Sequence, residues 1–264
     1  MSSSSSSCTA PSHFIAGGGF FAHFTRLPVS LAWDAFGAAN GAESFAEMRR
    51  RVERYRRIAP QRHEDYTIGC ILLQQPFFFE REAWIPVPPD FHRNIVQGKT
   101  YDTSMVTGRA LLEAVEDRLR EQAAVGVGEE PAVSFIDTVV ARRLGQGTFR
   151  VLVTDVYGRR CAATGERALP VLDAAHIRPV AEGGIHDVRN GLCLRTDLHR
   201  LFDRGYLTVT PKYTIRVSRR LRDDFDNGEP YYPLEGQQIA LPPDELARPD
   251  REALEWHGDV LFRG

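Results

Sequence analysis

At 264 residues, the chain is long enough for one large domain or two ordinary ones. Its composition, 42% hydrophobic and 26% charged, is that of a soluble globular protein, and no run approaches the roughly 18 apolar residues of a membrane span. The net charge of −2 is weak evidence against a nucleic-acid binder, but residues 145–226 hold 14 Lys and Arg against 10 Asp and Glu.

The N-terminal residues 1–13 predict a flexible tail, and the cysteine pattern predicts a reducing compartment. The tail begins MSSSSSSC and lacks the basic n-region and apolar h-region of a signal peptide. The four cysteines, at 8, 70, 161 and 193, form no C-x-x-C pair, so no structural zinc is expected. We therefore expect a cytoplasmic protein with free thiols and no membrane partner.

The first half of the chain, residues 14–122, predicts a domain of strands and amphipathic helices. Aromatic and proline-broken segments within it indicate strand ends and loops around a pocket. The predicted elements are a strand near Phe20–Leu27, a helix from Pro28 to Phe36, a helix at 43–57, a buried strand at 66–74 and a long helix at 103–122. Residues 123–132, AAVGVGEEPA, have the composition of a linker.

The second half, residues 133–264, contains a short polar motif between Cys161 and Gly205. Its pattern predicts two strands joined by a Gly-rich loop and followed by a helix of one or two turns that begins after Thr196 as N-cap. The predicted elements are strands at 169–177 and 191–195, a helix at 197–203, a hairpin at 206–217 and a closing helix at 248–262.

Three residues in that motif, His176, Asn190 and His199, are separated by 14 and 9 positions. Their order, with the string AAHIRP…NGLCLRTDLHRLFDRG around them, resembles the HNH nuclease signature of the ββα-metal fold. The resemblance implies a DNA endonuclease in which Asn190 ties the loop across the motif and orients the base. Three other histidines, His13, His186 and His257, have no such support and are interpreted as structural.

Phosphodiester hydrolysis needs a water made nucleophilic and a cation beside the leaving oxygen. A neutral imidazole is a suitable base near pH 7, and His176 is the candidate. His199 on the helix is the candidate ligand for a divalent metal, Mg²⁺ or Mn²⁺. Family members often carry a further ligand just before the base, where this chain has Ala175. The missing ligand is either Asp203, one turn beyond His199, or Asp173 on the strand.

Residues 14–122 resemble the PUA-like superfamily, which includes the ASCH, EVE and SRA domains. The resemblance is carried by GGGFF, LPVSLAWDAFG, IGCILLQQPFFF and WIPVP…IVQGKTYD. It implies a β-barrel-type domain that grips a modified base flipped out of the duplex, with 5-methylcytosine favoured. Aromatic faces would stack the base, and Asp102 would accept from the exocyclic amine of cytosine. The candidates for this pocket are Trp84, Tyr101 and Asp102, with Phe78, Phe79, Asn94 and Trp33 behind them.

Together these patterns predict an α+β chain with a PUA/SRA-like reader followed by an HNH nuclease. The expected partner is double-stranded DNA, and cutting both strands would require a homodimer. Two alternatives stay open: a modified-DNA binder whose nuclease site is vestigial, which Ala175 favours, and a nonspecific or structure-specific nuclease. The arginines expected to touch backbone phosphates are Arg150, Arg159, Arg160 and Arg178.

Overall fold

The computed structural model describes residues 14–56, 61, 64–92, 95, 98–125 and 145–264. The predicted tail at 1–13, most of the predicted linker at 123–132, and Asn94 lie outside this part of the chain. The described residues fall into two compact units, one within 1–22 and 73–142 and the other within 23–72 and 143–264. Within the described ranges, no helix is long and apolar enough to cross a bilayer.

The described elements include both helices and strands, which confirms the predicted mixture of α and β structure. The helices are α1 (Val29–Phe36), α2 (Phe45–Arg54), α3 (Val106–Val125), α4 (Gln146–Val156), α5 (Thr196–Asp203), α6 (Arg220–Phe225) and α7 (Arg251–Val260). The strands are β1 (Phe14–Ile15), β2 (Gly17–Pro28), β3 (Thr67–Phe78), β4 (Ile85–Pro86), β5 (Leu172–His176), β6 (Gly191–Arg195), β7 (Leu207–Val209) and β8 (Ile215–Val217).

The sheets of the described residues have two strands each, in the pairs β1–β4, β2–β3, β5–β6 and β7–β8. Closing a barrel requires each strand to pair on both sides. No closed barrel is therefore formed by the part of the chain that is described, and the predicted β-barrel architecture of the first half is not confirmed. The boundaries of the predicted reader, linker and nuclease domains likewise stay predictions.

Within the unit that contains the HNH-like motif, residues between 149 and 254 share one continuous apolar core. Strands β5 and β6 pair antiparallel, with His176 opposite Gly191, and helices α4 and α5 pack on them. Helix α4 comes close to the start of β6, because a Cβ on Gly191 would lie 2.4 Å from a methyl carbon of Val153. Phe149, 1% exposed, lies on the same helix and faces the same strand. Helix α4 therefore packs against the end of β5 and the start of β6.

Two details of the motif differ from the sequence-based expectation. The first predicted strand begins only at Leu172, because residues 169–171 form a 3₁₀ turn around Pro170, which has no N–H to donate to a ladder. Thr196 was expected to be the N-cap of α5, but Arg195 occupies that position and Thr196 is the first helical residue. The Thr196 hydroxyl instead donates to the carbonyl of Val171, 3.0 Å away, and so ties the helix to the turn that precedes the first strand.

The long helix α3 also begins later than expected, at Val106 rather than near 103. Asp102 and Ser104 form a turn before it, in which Asp102 Oδ1 accepts from the Ser104 amide at 2.8 Å. A side chain that bonds to the backbone two residues on competes with the helix for those donors. The helix also continues to Val125 and so includes the first three residues of the predicted linker.

Candidate active site

His176 is the last residue of β5, and its ring lies flat on Phe149. The two ring centroids are 4.0 Å apart with an interplanar angle of 12°. Burial lowers the pKa of His176, and the neighbouring His186 and His199 add to the effect, so the pKa falls to about 4. The imidazole is consequently neutral at pH 7 and able to accept a proton.

Asn190 closes the loop that follows β5. Its Oδ1 accepts from the amide of Arg178 at 2.9 Å, and its Nδ2 donates to the carbonyls of Arg178 and Ile185, both also at 2.9 Å. The Asn190 carbonyl accepts from the amide of Ile177, and the residue is 6% exposed. The side chain therefore uses both its acceptor and its donors to hold the loop against the end of the strand.

His199 on α5 lies between two carboxylates. Its Nδ1 is 3.0 Å from Asp173 Oδ2 on β5, and its Nε2 is 3.2 Å from Asp203 Oδ2 one turn further along the helix. Burial by itself would lower the pKa of His199, but the bonds to the two carboxylates outweigh burial and raise the pKa to about 9. In this arrangement His199 is an imidazolium ion that bridges Asp173 and Asp203 at pH 7.

Asp173 and Asp203 differ in how fully they are engaged. Asp173 also accepts from the amide of Ala174 at 2.9 Å and lies 3.3 Å from Nε of Arg150. Burial would raise the pKa of Asp173, but His199 and Arg150 hold it below its usual range. The Asp203 side chain is 53% exposed, compared with 32% for Asp173. Asp203 is thus the carboxylate with more room for solvent and for a phosphate.

No three His, Cys, Asp or Glu side chains of the described residues already converge as a metal cage. The reason is that Asp173 and Asp203 lie on opposite nitrogens of the same ring. Each ring nitrogen of His199 nevertheless lies beside one carboxylate oxygen. The distance of 3.2 Å between His199 Nε2 and Asp203 Oδ2 is suitable for two atoms that bind the same metal ion. Adjacent ligands of an octahedral ion with bonds of ~2.1 Å are about 3.0 Å apart.

His186 was interpreted as structural from the sequence, but its ring contacts the candidate base. Its Nδ1 lies 2.9 Å from Nε2 of His176, and the two rings meet edge to face. The sequence carried one signal of this proximity. His186 lies four positions before Asn190, in a loop that Gly183 and Gly184 allow to turn back. A Cβ on Gly184 would lie 1.9 Å from the Arg178 carbonyl, so the loop needs glycine there.

The four arginines predicted to contact DNA phosphates differ in their exposure and in the groups that they contact. Arg150 pairs with the carboxylate of Asp173, and Arg159 Nε lies 2.8 Å from Asp155 Oδ1. Arg160 and Arg178 are exposed. Nε of Arg178 donates to the carbonyl of Glu182 at 2.6 Å, and the guanidinium lies over the ring of Trp256, 5.1 Å from its centroid. Contact of all four with DNA stays a prediction.

Part of the candidate base pocket lies in the first unit. Phe79 is 5% exposed, so its ring belongs to the core of that unit. Nε1 of Trp84 donates to the Phe79 carbonyl at 3.0 Å, and the Tyr101 hydroxyl donates to Asp90 at 3.0 Å. The polar side-chain atoms of Trp84 and Tyr101 are therefore each hydrogen-bonded within the unit. Phe78, in contrast, is 78% exposed.

Asp102 and Trp33, the remaining pocket candidates, each contact a residue of their own unit. Asp102 lies in the exposed turn before α3, and its bond with Ser104 lowers the pKa of its carboxyl. Trp33 lies on α1, within the other unit, and its ring packs on Phe45 at 6.3 Å between centroids. A base-reading role for any of these residues stays a prediction.

Comparison with known proteins identifies the motif. Residues 161–210 match the HNH endonuclease family, which confirms the predicted HNH-type endonuclease domain at this place in the chain. A search of curated proteins finds no match. A solved structure described as "Modification dependent TagI restriction endonuclease" is similar at 24% identity and a TM-score of 0.33. That similarity covers 43% of this chain and 37% of the other.

Proposed function

We propose, on the premise that residues 161–210 form an HNH endonuclease domain, that the chain cleaves DNA phosphodiester bonds with a divalent metal ion. The observation that carries the proposal is the presence of two different imidazoles in one small ββα unit. His176 is neutral, while His199 lies between two carboxylates. The first can take a proton from water and the second can help to hold a cation, and phosphodiester hydrolysis needs both functions.

In this mechanism His176 is the general base. Its ring is held by Phe149 on one face, and its low pKa keeps it unprotonated throughout the neutral range. A water molecule beside the ring gives its proton to an imidazole nitrogen as its oxygen attacks phosphorus. Asn190 contributes by holding the loop after β5, and so keeps the end of that strand in one conformation.

The donor set around His199 fits Mg²⁺ or Mn²⁺, which favour carboxylate oxygens and accept imidazole. We propose that His199 Nε2 and Asp203 hold the ion, because Asp203 is the more exposed carboxylate. Asp173 would then accept the Nδ1–H of His199 and orient the ring, as carboxylates commonly do behind metal-bound histidines. When bound, the ion neutralises charge on the scissile phosphate and the leaving oxygen.

We further propose that the first half of the chain reads a modified base, with 5-methylcytosine favoured. This rests on the resemblance of residues 14–122 to SRA-like domains. It is supported by the exposure of Phe78, which is 78% accessible. A homodimer with one active site in each subunit would cut both strands. A cytoplasmic location agrees with this use.

A second candidate function, a DNA binder with an inactive nuclease site, is favoured by Ala175. This residue occupies the position where related nucleases often have a metal ligand, and it is fully buried in the core. The carboxylates of Asp173 and Asp203 argue against loss of the site, because both remain in contact with His199.

The test is cleavage of four matched plasmids: unmodified, cytosine-methylated, hydroxymethylated and adenine-methylated. Each is incubated with Mg²⁺ or Mn²⁺ and with wild type, His176→Ala or Asp223→Asn. Asp223 is an exposed residue of α6 and serves as the matched surface control. We expect wild type and Asp223→Asn to cut one modified plasmid, and His176→Ala to lose on the order of 100-fold to 10,000-fold in rate.

Cutting of all four plasmids at similar rates would refute the modified-base proposal and leave a nonspecific nuclease. Binding of modified DNA without any cutting by wild type, in either metal, would support the inactive-site alternative. Full activity of His176→Ala would refute the assignment of the base.

A further inference from the structure

His186 and His176 form an imidazole pair at the end of β5. Nδ1 of His186 lies 2.9 Å from Nε2 of His176, and the ring centroids are 4.9 Å apart at an angle of 61°. Phe149 contacts both rings, at 4.0 Å for His176 and 5.7 Å for His186. Three rings on three elements, α4, β5 and the following loop, are therefore packed together.

The loop that carries His186 is anchored immediately beside it. The carbonyl of Ile185 accepts from Nδ2 of Asn190 at 2.9 Å, and the amide of Asp187 donates back to Ile185. Asp187 also accepts from the amide of Asn190. The contact between the two histidines is consequently made by a fixed segment of backbone and not by a free loop tip.

One hydrogen must lie between the two nitrogens. Two imidazole lone pairs at 2.9 Å would repel, whereas one N–H directed at one lone pair gives a normal hydrogen bond. Burial and the neighbouring imidazoles lower the pKa of His176 to about 4, so His176 is neutral at pH 7. A neutral imidazole has one N–H and one lone pair, so the direction of this bond determines which nitrogen of His176 is free.

The two directions have opposite consequences for the base. If His186 donates, the lone pair on Nε2 of His176 is occupied and its Nδ1 carries the hydrogen, so the ring has no free lone pair. If His176 donates from Nε2, its Nδ1 keeps a free lone pair and can accept a proton from water. The second direction is the one that is compatible with general-base chemistry in this arrangement.

We infer that His186 is a positioning residue for the proposed nuclease: its Nδ1 accepts the Nε2–H of His176 and so presents the Nδ1 lone pair of His176 as the base. This inference rests on the proposed function. As water gives its proton to Nδ1, His176 becomes an imidazolium ion, and the bond from its Nε2–H to His186 becomes charge-assisted and stronger. His186 therefore stabilises the charge that forms on the base.

The test compares three substitutions of His186 in the 264-residue chain with Mg²⁺. His186→Asn places an amide where Nδ1 was, because both atoms are one bond beyond Cγ. His186→Gln has the same chemistry but places its amide near the position of Nε2, and His186→Ala has no acceptor. We expect Ala and Gln to lower kcat roughly 10- to 100-fold with KM within about twofold, and Asn to recover most of the rate.

A second readout does not depend on activity. Nitrogen-15 NMR of histidine-labelled protein, assigned with the His176→Ala variant, reports which ring nitrogen of His176 carries the hydrogen. We expect Nε2–H in wild type and in His186→Asn, and a mixture of tautomers in His186→Ala and His186→Gln.

The outcomes separate this inference from the proposed function. A wild type that cuts DNA while His176 carries its hydrogen on Nδ1 would refute the inference alone. Equal rates for the Asn and Gln variants would also refute it, even if the Ala variant failed to fold. A wild type that cuts no DNA but has the Nε2–H tautomer would refute the proposed function and the catalytic role, and would leave only the assigned hydrogen bond.

Discussion

Nδ1 of His199 lies 3.0 Å from Oδ2 of Asp173, although the two residues are 26 positions apart in the sequence. This bond joins the helix of the ββα unit to its first strand. It also divides the two nitrogens of His199 between two carboxylates, since Nε2 lies beside Asp203. Because each ring nitrogen has its own carboxylate partner, Asp173 can orient the His199 ring while His199 and Asp203 bind a metal ion together.

Asp203→Asn and Asp173→Asn are expected to weaken metal binding to different degrees. Loss of the Asp203 carboxylate removes a proposed ligand, so we expect Mn²⁺ affinity to fall by more than about 100-fold. Loss of the Asp173 carboxylate removes the group that orients the ring, which typically costs about 10- to 100-fold. Calorimetric titration of each variant with Mn²⁺ measures both effects.

Asp223→Asn, on an exposed face of α6, is the control for removing one negative charge and should bind Mn²⁺ like wild type. A larger loss of affinity in Asp173→Asn than in Asp203→Asn would contradict the proposed assignment. It would indicate that Nδ1 and Asp173 hold the ion instead.

Metal binding is expected to strengthen as the pH rises from 6 to 9. The pKa of His199 without metal is about 9, so the imidazole is protonated below that pH and must release a proton before a nitrogen can bind an ion. Affinity should therefore fall about tenfold for each pH unit below 9. Mn²⁺ dissociation constants at pH 6, 7 and 8 test this, and a constant value across that range would contradict it.

Asn190→Ala is expected to destabilise the nuclease unit by about 2 to 4 kcal/mol. The substitution leaves the amide and the carbonyl of Arg178 without their Asn190 partner, and each such group costs about 1 to 3 kcal/mol. It also removes one of the two donors to the Ile185 carbonyl, which keeps the bond from the Asp187 amide. The midpoint of urea denaturation measures the loss. The amide of Arg178 should also exchange its hydrogen faster, because its acceptor has been removed.

Asn227→Ala provides the matched control for this substitution. Asn227 is exposed and its side chain accepts only from the amide of the next residue among its described contacts, so we expect a change within about 0.5 kcal/mol. Similar unfolding midpoints for the two variants would show that the loop is not held by Asn190.

Protonation of His257 is expected to lower the free energy of unfolding in mild acid. The residue is 0% exposed, its ring stacks on Phe202 at 3.7 Å, and its Nε2 donates to the Phe202 carbonyl. Nδ1 accepts from the hydroxyl of Thr208 at 2.9 Å. Burial lowers the pKa of His257 to about 4 in the folded chain, compared with 6.5 ordinarily. Its contribution to stability is therefore complete above pH 6.5 and is lost as the pH falls toward 4.

The reason for this sign is that the unfolded chain binds the proton at a higher pH than the folded chain. The free energy of unfolding should fall by about 1.4 kcal/mol per pH unit within that window for this one group. His257→Gln keeps a donor for the Phe202 carbonyl but does not titrate, so its denaturation midpoint should depend less on pH. An unchanged slope between pH 6.5 and 4 in this variant would contradict the assignment.

Local pattern in the sequence was sufficient to predict the two strands and the short helix, and the resemblance of the motif to the HNH signature predicted the nuclease domain. The short apolar runs of β5 and β6, the Gly-rich loop and the i, i+4 pair of His199 and Asp203 depend on neighbours along the chain. Such neighbours meet in any chain that adopts those elements. The same local logic failed at Thr196 and at Pro170, where a tertiary bond and a missing N–H moved the element boundaries.

The pairing of His186 with His176, and of Arg150 with Asp173, was decided only by the tertiary structure. Periodicity identifies which face of an element is polar or apolar, but it does not identify the element that packs against that face. His186 reaches the base because Asn190 folds the loop back on itself, and Arg150 reaches Asp173 because α4 lies under β5. These contacts join residues that are distant in sequence and lie on different elements, so the spacing of residues along the chain does not determine them.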